Sequence, residues 1–388
     1  MRTVYLDYSA TTPVDPRVLE AMLPVFSSTP GNASSVHSFG REARAILERS
    51  RESIASCIGA KGDELFFTSG GTEADNHAIK GLAAAGKRKG KTQIITSVVE
   101  HHAVLHPVES LERTGFSVIR LPVDGNGRID PNDVQRAMTS STALVSIMHA
   151  NNEVGTLNDI RTIGGIARDA GVPFHSDAVQ SVGKMPLDVS ELNIDVLSIS
   201  AHKLYGPKGI GAIYIRKGTQ IDTFMEGGGQ ESNRRAGTEN VPLAVGFAAA
   251  TELCRELMSE SLERAAEQKR YLLGKLTAAF SGLLVNGDPE TSLPQILNVS
   301  FDSSMSPLDG DALIMGMDLR GVAVTSGSAC TSGSLQPSHV LMAMGRDERT
   351  ARATIRFSLG RWTTIDELDY ALDALKEVVA KAGGKTAA

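Results

Sequence analysis

Cysteine is scarce in this chain of 388 residues. Its three cysteines, Cys57, Cys254 and Cys330, cannot form a disulfide framework, and no two of them make a C-x-x-C pair. That scarcity points to a reducing, cytoplasmic compartment, where a thiolate stays free for chemistry. Long apolar runs are missing as well. The longest, such as ALVSIM at 143–148, have the length of a strand and fall far short of a membrane span. The opening MRTVYLDYSATTP has no apolar core behind a basic start, so no signal peptide is expected. Basic excess is absent too. With 39 Lys and Arg against 45 Asp and Glu, the net charge is -6, and no long basic run invites nucleic acid. Internal repeats and low-complexity linkers are lacking. What remains is an ordinary globular composition, 41% apolar and 22% charged, long enough for one large and one smaller domain.

The middle of the chain alternates two kinds of signal. Apolar, β-branched runs occur at 93–99, 117–123, 143–150, 173–178, 195–200 and 211–216. Helix-like segments at 131–140 and 159–171 lie between some of them, the second closing on a glycine. This alternation predicts an α/β fold with a mainly parallel sheet, whose ligands sit at the carboxyl ends of the strands. From about residue 255 the texture changes to a long charged helix pattern, strand candidates at 296–301 and 354–359, and a closing helix at 366–382. The expected division is a large domain over 16–254 and a small α+β domain made of 1–15 plus 255–388.

Several side chains stand where chemistry is done. Lys203, in SISAHKLYGPKG, follows an apolar run. At a strand's carboxyl end, desolvation lowers a lysine's pKa and makes the amine nucleophilic, though a solvated loop lysine is the ordinary alternative. Lys208, within the turn, suits that ordinary reading better. Asp177 ends an apolar strand, as a carboxylate holding a proton on a pyridine nitrogen must, unless it only caps a helix. Gln180, one turn on, is placed to donate to a ring hydroxyl's oxygen or to face water. FFTSGGTEADNHAIKG (66–81) joins a strand to a helix opening at Thr72. Its free N–H groups and dipole would attract a phosphate, with Ser200 and His202 contributing. His101 follows a strand and could stack on the pyridine while exchanging protons. Pyridoxal 5'-phosphate (PLP) is the cofactor such a set would serve.

Cys330 lies in TSGSACTSGSLQPSHV, a run of Ser, Gly, Thr and Ala without apolar periodicity, expected to be an exposed and mobile loop. Such a cysteine suggests a travelling nucleophile, whereas Cys57 and Cys254 sit in helical patterns and read as small hydrophobes. Arg356, inside an apolar strand, suits a carboxylate ligand or a structural ion pair. Asn152 falls just beyond a strand, placed to touch ring or substrate. His102 and His106 are spaced i, i+4, but no HExxH order completes a zinc site, so no metal is expected on the chain itself. GLAAAGKR (81–88) nearly spells a phosphate-binding loop, yet Arg88 stands where Ser or Thr would hold magnesium, and the stretch continues a helix.

These segments together resemble the cysteine desulfurases of the NifS/IscS type, within the class-V aminotransferase-like, fold-type I PLP enzymes. The resemblance runs from YLDYSATTP (5–13) to IRFSLGRWTT (355–364) and includes FTSGGTEADN, EHHAVL, MHANNEVG, HSDAVQSVGK, SAHKLYGPKGIG, GGGQESNRRAGTEN and SGSACTS in order. It implies Lys203 as the Schiff-base lysine, Asp177 at the pyridinium nitrogen and His101 stacked on the ring. It also implies Gln180 and Asn152 around the ring, with Gly71, Thr72, Ser200 and His202 at the phosphate. Thr238 resembles the threonine that reaches the cofactor of a partner subunit, which implies a homodimer. Arg356 matches the arginine that grips the carboxylate of L-cysteine, and Cys330 matches the persulfide carrier. The implied partners are an iron–sulfur scaffold protein of the NifU/IscU type or another sulfur acceptor, whose cluster Cys330 could contact. The stretch after the last helix is short, which leans toward a NifS-like member. Other readings are a PLP aminotransferase, a selenocysteine lyase or a non-catalytic PLP-fold scaffold.

Overall fold

The computed structural model describes residues 2–305, 308–327 and 336–382. Its strands, in chain order, are β1 (Val4–Tyr5), β2 (Leu65–Thr68), β3 (Gln93–Ser97), β4 (Ser117–Leu121), β5 (Thr142–Ser146), β6 (Phe174–Asp177), β7 (Val196–Ser200), β8 (Gly211–Ile215), β9 (Leu283–Asn286), β10 (Ile296–Phe301), β11 (Val322–Ala323) and β12 (Thr354–Ser358). A seven-stranded sheet runs in the order β2-β8-β7-β6-β5-β3-β4. All its strands point the same way except β8, which pairs antiparallel with β7 and β2.

Both faces of this sheet are apolar because its strands alternate two sets of hydrophobic side chains. Leu65, Phe67, Ile95, Val145, Leu197 and Tyr214 point into one core, which the helices Pro16–Ser28, Ser38–Ser56, Ile160–Asp169 and Val241–Glu256 complete. Phe66, Ile94, Leu144, Val196 and Ile213 point the other way, under the helices Gly71–Lys87 and His102–Glu112. Close approach of backbones is needed at one point here: a Cβ on Gly211 would lie 2.7 Å from the Cα of Gly70, so β8 can press against the turn after β2 only as glycine.

The second part of the molecule is an antiparallel sheet, β12-β10-β9, covered by the helices Met258–Ala279, Gly310–Asp318 and Ile365–Lys381. The first residues of the chain join it. β1 pairs in parallel with β11, Asp7 bridges to Ser358, and Val4 and Leu6 are buried in its core. The segment 81–88 lies inside the helix Gly71–Lys87 and at its end, as its helical pattern predicts. Among the described residues, no helix is long and apolar enough to cross a membrane.

Candidate active site

Because β2, β3, β5, β6 and β7 are parallel, the turns that follow them meet along one edge of the sheet. Those strand ends and the turns after them carry Gly71 and Thr72, His101, Asn152, Asp177 with Gln180, and Ser200 with His202 and Lys203. All of them line one cleft of about 360 Å³, closed from the other side by Arg356 on β12 and by Asp7, Thr325 and Gly327.

Lys203 sits at the end of a single helical turn directly after β7. Its Nζ donates to the carbonyl oxygens of Ser9 and, at 2.7 Å, Ala10. Burial first, then the nearby Arg356 guanidinium, bring its pKa down to about 8, against the opposing pull of Asp7 and Asp177. A usable fraction of the amine is therefore uncharged near neutral pH. Lys208 is exposed in the turn beyond. Asp177 is the last residue of β6 and accepts from the Val179 N–H at 2.9 Å, closing the local turn that places it at the strand end. Burial pushes its pKa up to about 6, against the opposing effects of the Val179 N–H and the Lys203 charge. Gln180 donates from Nε2 to the Ser9 carbonyl at 2.9 Å.

The helix Gly71–Lys87 begins one residue before the threonine expected to open it, with Gly70 as its cap. Glu73 accepts from the Ser69 N–H at 2.9 Å and pairs with Arg235 at 2.7 Å. A Cβ on Gly71 would stand 2.7 Å from Val179 Cγ2, so glycine keeps this first turn close to the strand ends. Across from it, the buried Ser200 hydroxyl has no hydrogen-bond partner among the described residues. His202 contacts Thr11 Oγ1 through Nδ1 at 3.1 Å.

Burial and the charge of Lys203 lower the pKa of His202 to about 4, which leaves it a neutral hydrogen-bonding ring. First-turn amides, an orphaned hydroxyl and an imidazole suit a phosphate, while Lys203 and Asp177 suit the imine-forming carbon and the ring nitrogen of a pyridoxal group. The residues present fit PLP.

His101 caps the helix His102–Glu112, its Nδ1 accepting from the Ala103 N–H at 3.1 Å. That bond assigns the ring proton to Nε2. The ring lines the cleft and keeps an exposed surface; desolvation by the side chains around it, then the charge of Lys203, lower its pKa to about 4. His102 and His106 stack with their rings 4.8 Å apart, and among the described residues no group of three or more His, Cys, Asp or Glu could hold a metal ion. Asn152 lines the cleft and lends its carbonyl to Arg356 Nη1 at 2.8 Å. Arg356 is buried and has its ion pair within the chain, Nη2 to Asp7 at 2.7 Å, while its Nε has no partner among the described residues.

One expected participant stands elsewhere. Thr238 is exposed in the segment leading to the helix Val241–Glu256 and does not line the cleft. Cys330 lies outside the described residues. Cys57 ends its helix half-buried, whereas Cys254 is buried as expected.

The cleft also contains acids that the sequence reading passed over. Asp7 stands in the N-terminal segment YLDYSATTP, to which no chemical role was assigned. Asp75 is 1% exposed, with Oδ1 3.6 Å from His175 Nε2, and burial followed by Asp177 pushes its pKa well up. Beneath the cleft, Glu100 accepts from Ser97 Oγ at 2.7 Å and from the Met148 N–H at 3.0 Å, and burial pushes it up to about 8. A signal for Asp75 existed: an acid on the apolar stripe of Ala74, Ala78, Ile79 and Leu82 must be buried with the stripe.

The family model for aminotransferase class V matches residues 4–371. The chain is 50% identical over 380 residues to a cysteine desulfurase IscS of Dictyoglomus turgidum, an alignment spanning 98% of this chain and 95% of that protein. A solved NifS-like protein superposes with a TM-score of 0.91 at 38% identity, covering 98% of this chain and all of that one. SspA, solved in complex with cysteine, superposes with a TM-score of 0.82 at 38% identity over 93% of this chain and all of its own.

Proposed function

The chain belongs to the class-V aminotransferase family, and from that premise we propose that it is a PLP-dependent cysteine desulfurase. It converts L-cysteine to L-alanine and passes the sulfur, through a persulfide on Cys330, to an acceptor. The observation that supports this most is the meeting of Lys203, Asp177, His101, Ser200 and Arg356 around one cleft. Two further observations agree: the 50% identical relative is a cysteine desulfurase, and the SspA structure holds cysteine.

When bound, PLP supplies an electron sink for charge developing at the substrate's α-carbon. The chain's own residues supply the rest. The first-turn amides after Gly70, with Ser200 and His202, hold the phosphate. Asp177 would hold the ring nitrogen, where a positive charge would offset the burial that raises its pKa and keep the carboxylate ionised. Arg356, whose Nε has no partner among the described residues, holds the substrate carboxylate. Lys203 Nζ takes the α-proton, a role its lowered pKa of about 8 suits. His101, neutral with its proton on Nε2, passes protons at the other side of the cleft.

The thiolate of Cys330 attacks the substrate sulfur. A carbon–sulfur bond breaks, a sulfur–sulfur bond forms, and the carbon fragment takes up a proton on its way to alanine. Gly327 lines the cleft and is three residues from Cys330, a separation that extended backbone spans in roughly 10 Å. In this reading the enzyme works as a homodimer in which Thr238, exposed on the single chain, serves the cofactor of the second protomer. Its compartment is the cytoplasm, and its acceptor is an iron–sulfur scaffold or another sulfur carrier. The test is alanine and sulfide release from cysteine plus a reductant. Wild type forms both, Lys203→Ala forms neither, and Cys330→Ala loses sulfur transfer while keeping its cofactor. Unchanged sulfur transfer by Cys330→Ala overturns the proposal in favour of a lyase or aminotransferase.

A further inference from the structure

Behind the ring-binding edge of the cleft, Lys184 has a use that cofactor and substrate binding leave unexplained. It lies one turn after Gln180 in the segment that follows β6, and its Nζ donates to Gln180 Oε1 at 2.8 Å. The same amide donates from Nε2 to the Ser9 carbonyl at 2.9 Å. An ammonium can only donate and a carbonyl can only accept, so these two neighbours allow one orientation of the amide. Turned over, it would set N–H against ammonium and oxygen against oxygen. In the allowed orientation one N–H is spent on Ser9, and the second is left for the cleft that Gln180 lines.

Lys184 has no other evident reason to be where it is. It forms no ion pair among the described residues, and the charged group that acts on it most, Lys203, is a cation. Arg264 and Arg361 line the small cavity of about 40 Å³ that Lys184 shares with the Cys254 thiol. Burial, then Lys203, lowers its pKa to about 7 against the opposing pull of Cys254, with Arg356 adding a lesser push downward. A lysine enclosed among cations destabilises the fold relative to an apolar side chain of its length. Its effect on Gln180 is what offsets that.

We infer that Lys184 is a positioning residue that fixes the Gln180 amide with its N–H toward the oxygen of the cofactor ring, a reading that rests on the PLP assignment above. Loss of the lysine leaves Gln180 Oε1 buried without a donor and the amide held from one side only. The test is PLP affinity of the apoenzyme by absorbance titration, together with the pH midpoint of the bound cofactor's visible band. Lys184→Met should weaken PLP about tenfold, equivalent to about 1.4 kcal/mol. Its band midpoint should move to that of Gln180→Ala.

The deciding measurement is the pair. In a Gln180→Ala background, Lys184→Met should add no further loss, because the lysine acts only through the amide. Additive losses, or a Lys184→Met enzyme with wild-type affinity and midpoint, overturn the inference. Lys184→Gln, which keeps a donor and a similar length, replaces Lys184→Met if that variant does not fold, and should recover part of the affinity. A wild-type chain that takes up no PLP would take the parent assignment down with this one. A wild-type chain that does, beside additive variants, sinks this inference alone.

Discussion

The segment that carries Thr238 is fastened by an ion pair deep in the molecule, and breaking that pair should loosen the segment selectively. Arg51, 7% exposed on the helix Ser38–Ser56, grips Glu231 through both terminal nitrogens, at 2.6 and 2.8 Å. Its Nη1 also donates to the Leu65 carbonyl at 2.8 Å, and Glu231 accepts from the Phe67 N–H at 2.8 Å. The clamp therefore ties the segment to β2, at the sheet's edge. It holds a strained turn, since Glu231, Ser232 and Asn233 all have positive φ, at 45°, 56° and 62°.

Arg51→Met would leave a buried carboxylate with one backbone donor, a change that costs about 3–5 kcal/mol when a buried pair is broken. Opening the segment exposes Glu231 to water without unfolding the sheet, so the loss should appear locally. Amide exchange in 224–240, followed by mass spectrometry, should accelerate roughly 100-fold or more, with the β5–β7 amides unchanged. Arg51→Met combined with Glu231→Met should exchange more slowly than Arg51→Met alone, because no unpaired charge remains. If Arg51→Met leaves exchange in 224–240 as it was, the clamp does not hold the segment and the reasoning fails.

Acid should unfold the protein partly through His175. Its pKa is lowered by burial to about 3, below the ordinary 6.5, so the unfolded chain binds the proton more tightly and stability falls as pH drops from about 6.5 toward 3. His175→Asn should flatten the denaturation curve in that window, and an unaltered slope would count against it. Gly71→Ala should reduce PLP retention, because the new methyl meets Val179 2.7 Å away at the start of the helix; equilibrium dialysis measures this, and undiminished retention would show that the turn yields. Asp7→Asn should raise KM for cysteine about tenfold while changing kcat less, because Arg356 loses the partner at 2.7 Å that orients it. A fall in KM would mean that Asp7 competes with substrate instead.

Most of the large sheet was legible because its strands carry apolar side chains on both faces, which leaves a continuous signal. β7 falls inside the run at 195–200, and β5 overlaps the run at 143–150, starting one residue before it. The residues that line the cleft were legible for a related reason. In parallel strands joined by crossovers, the residues at the carboxyl end of each strand come to the same edge, so Asp177, His101 and Lys203 could be grouped from the sequence. Arg356 was found as a buried cation, but its partner was not. Asp7 is 349 residues away and reaches it only because the N-terminal segment runs along β12.

The amino-acid order by itself determined the alternation of strand and helix, the side of the sheet on which chemistry gathers and the residue types waiting there, since each follows from local periodicity and chain direction. Only the tertiary structure decided how those groups are tuned. The fall of Lys203 toward pH 8, the rise of Asp177 and Glu100, and the orientation of Gln180 by Lys184 depend on burial and on neighbours brought together by packing. Desolvation and close charge act through space, and separation along the chain carries no record of either.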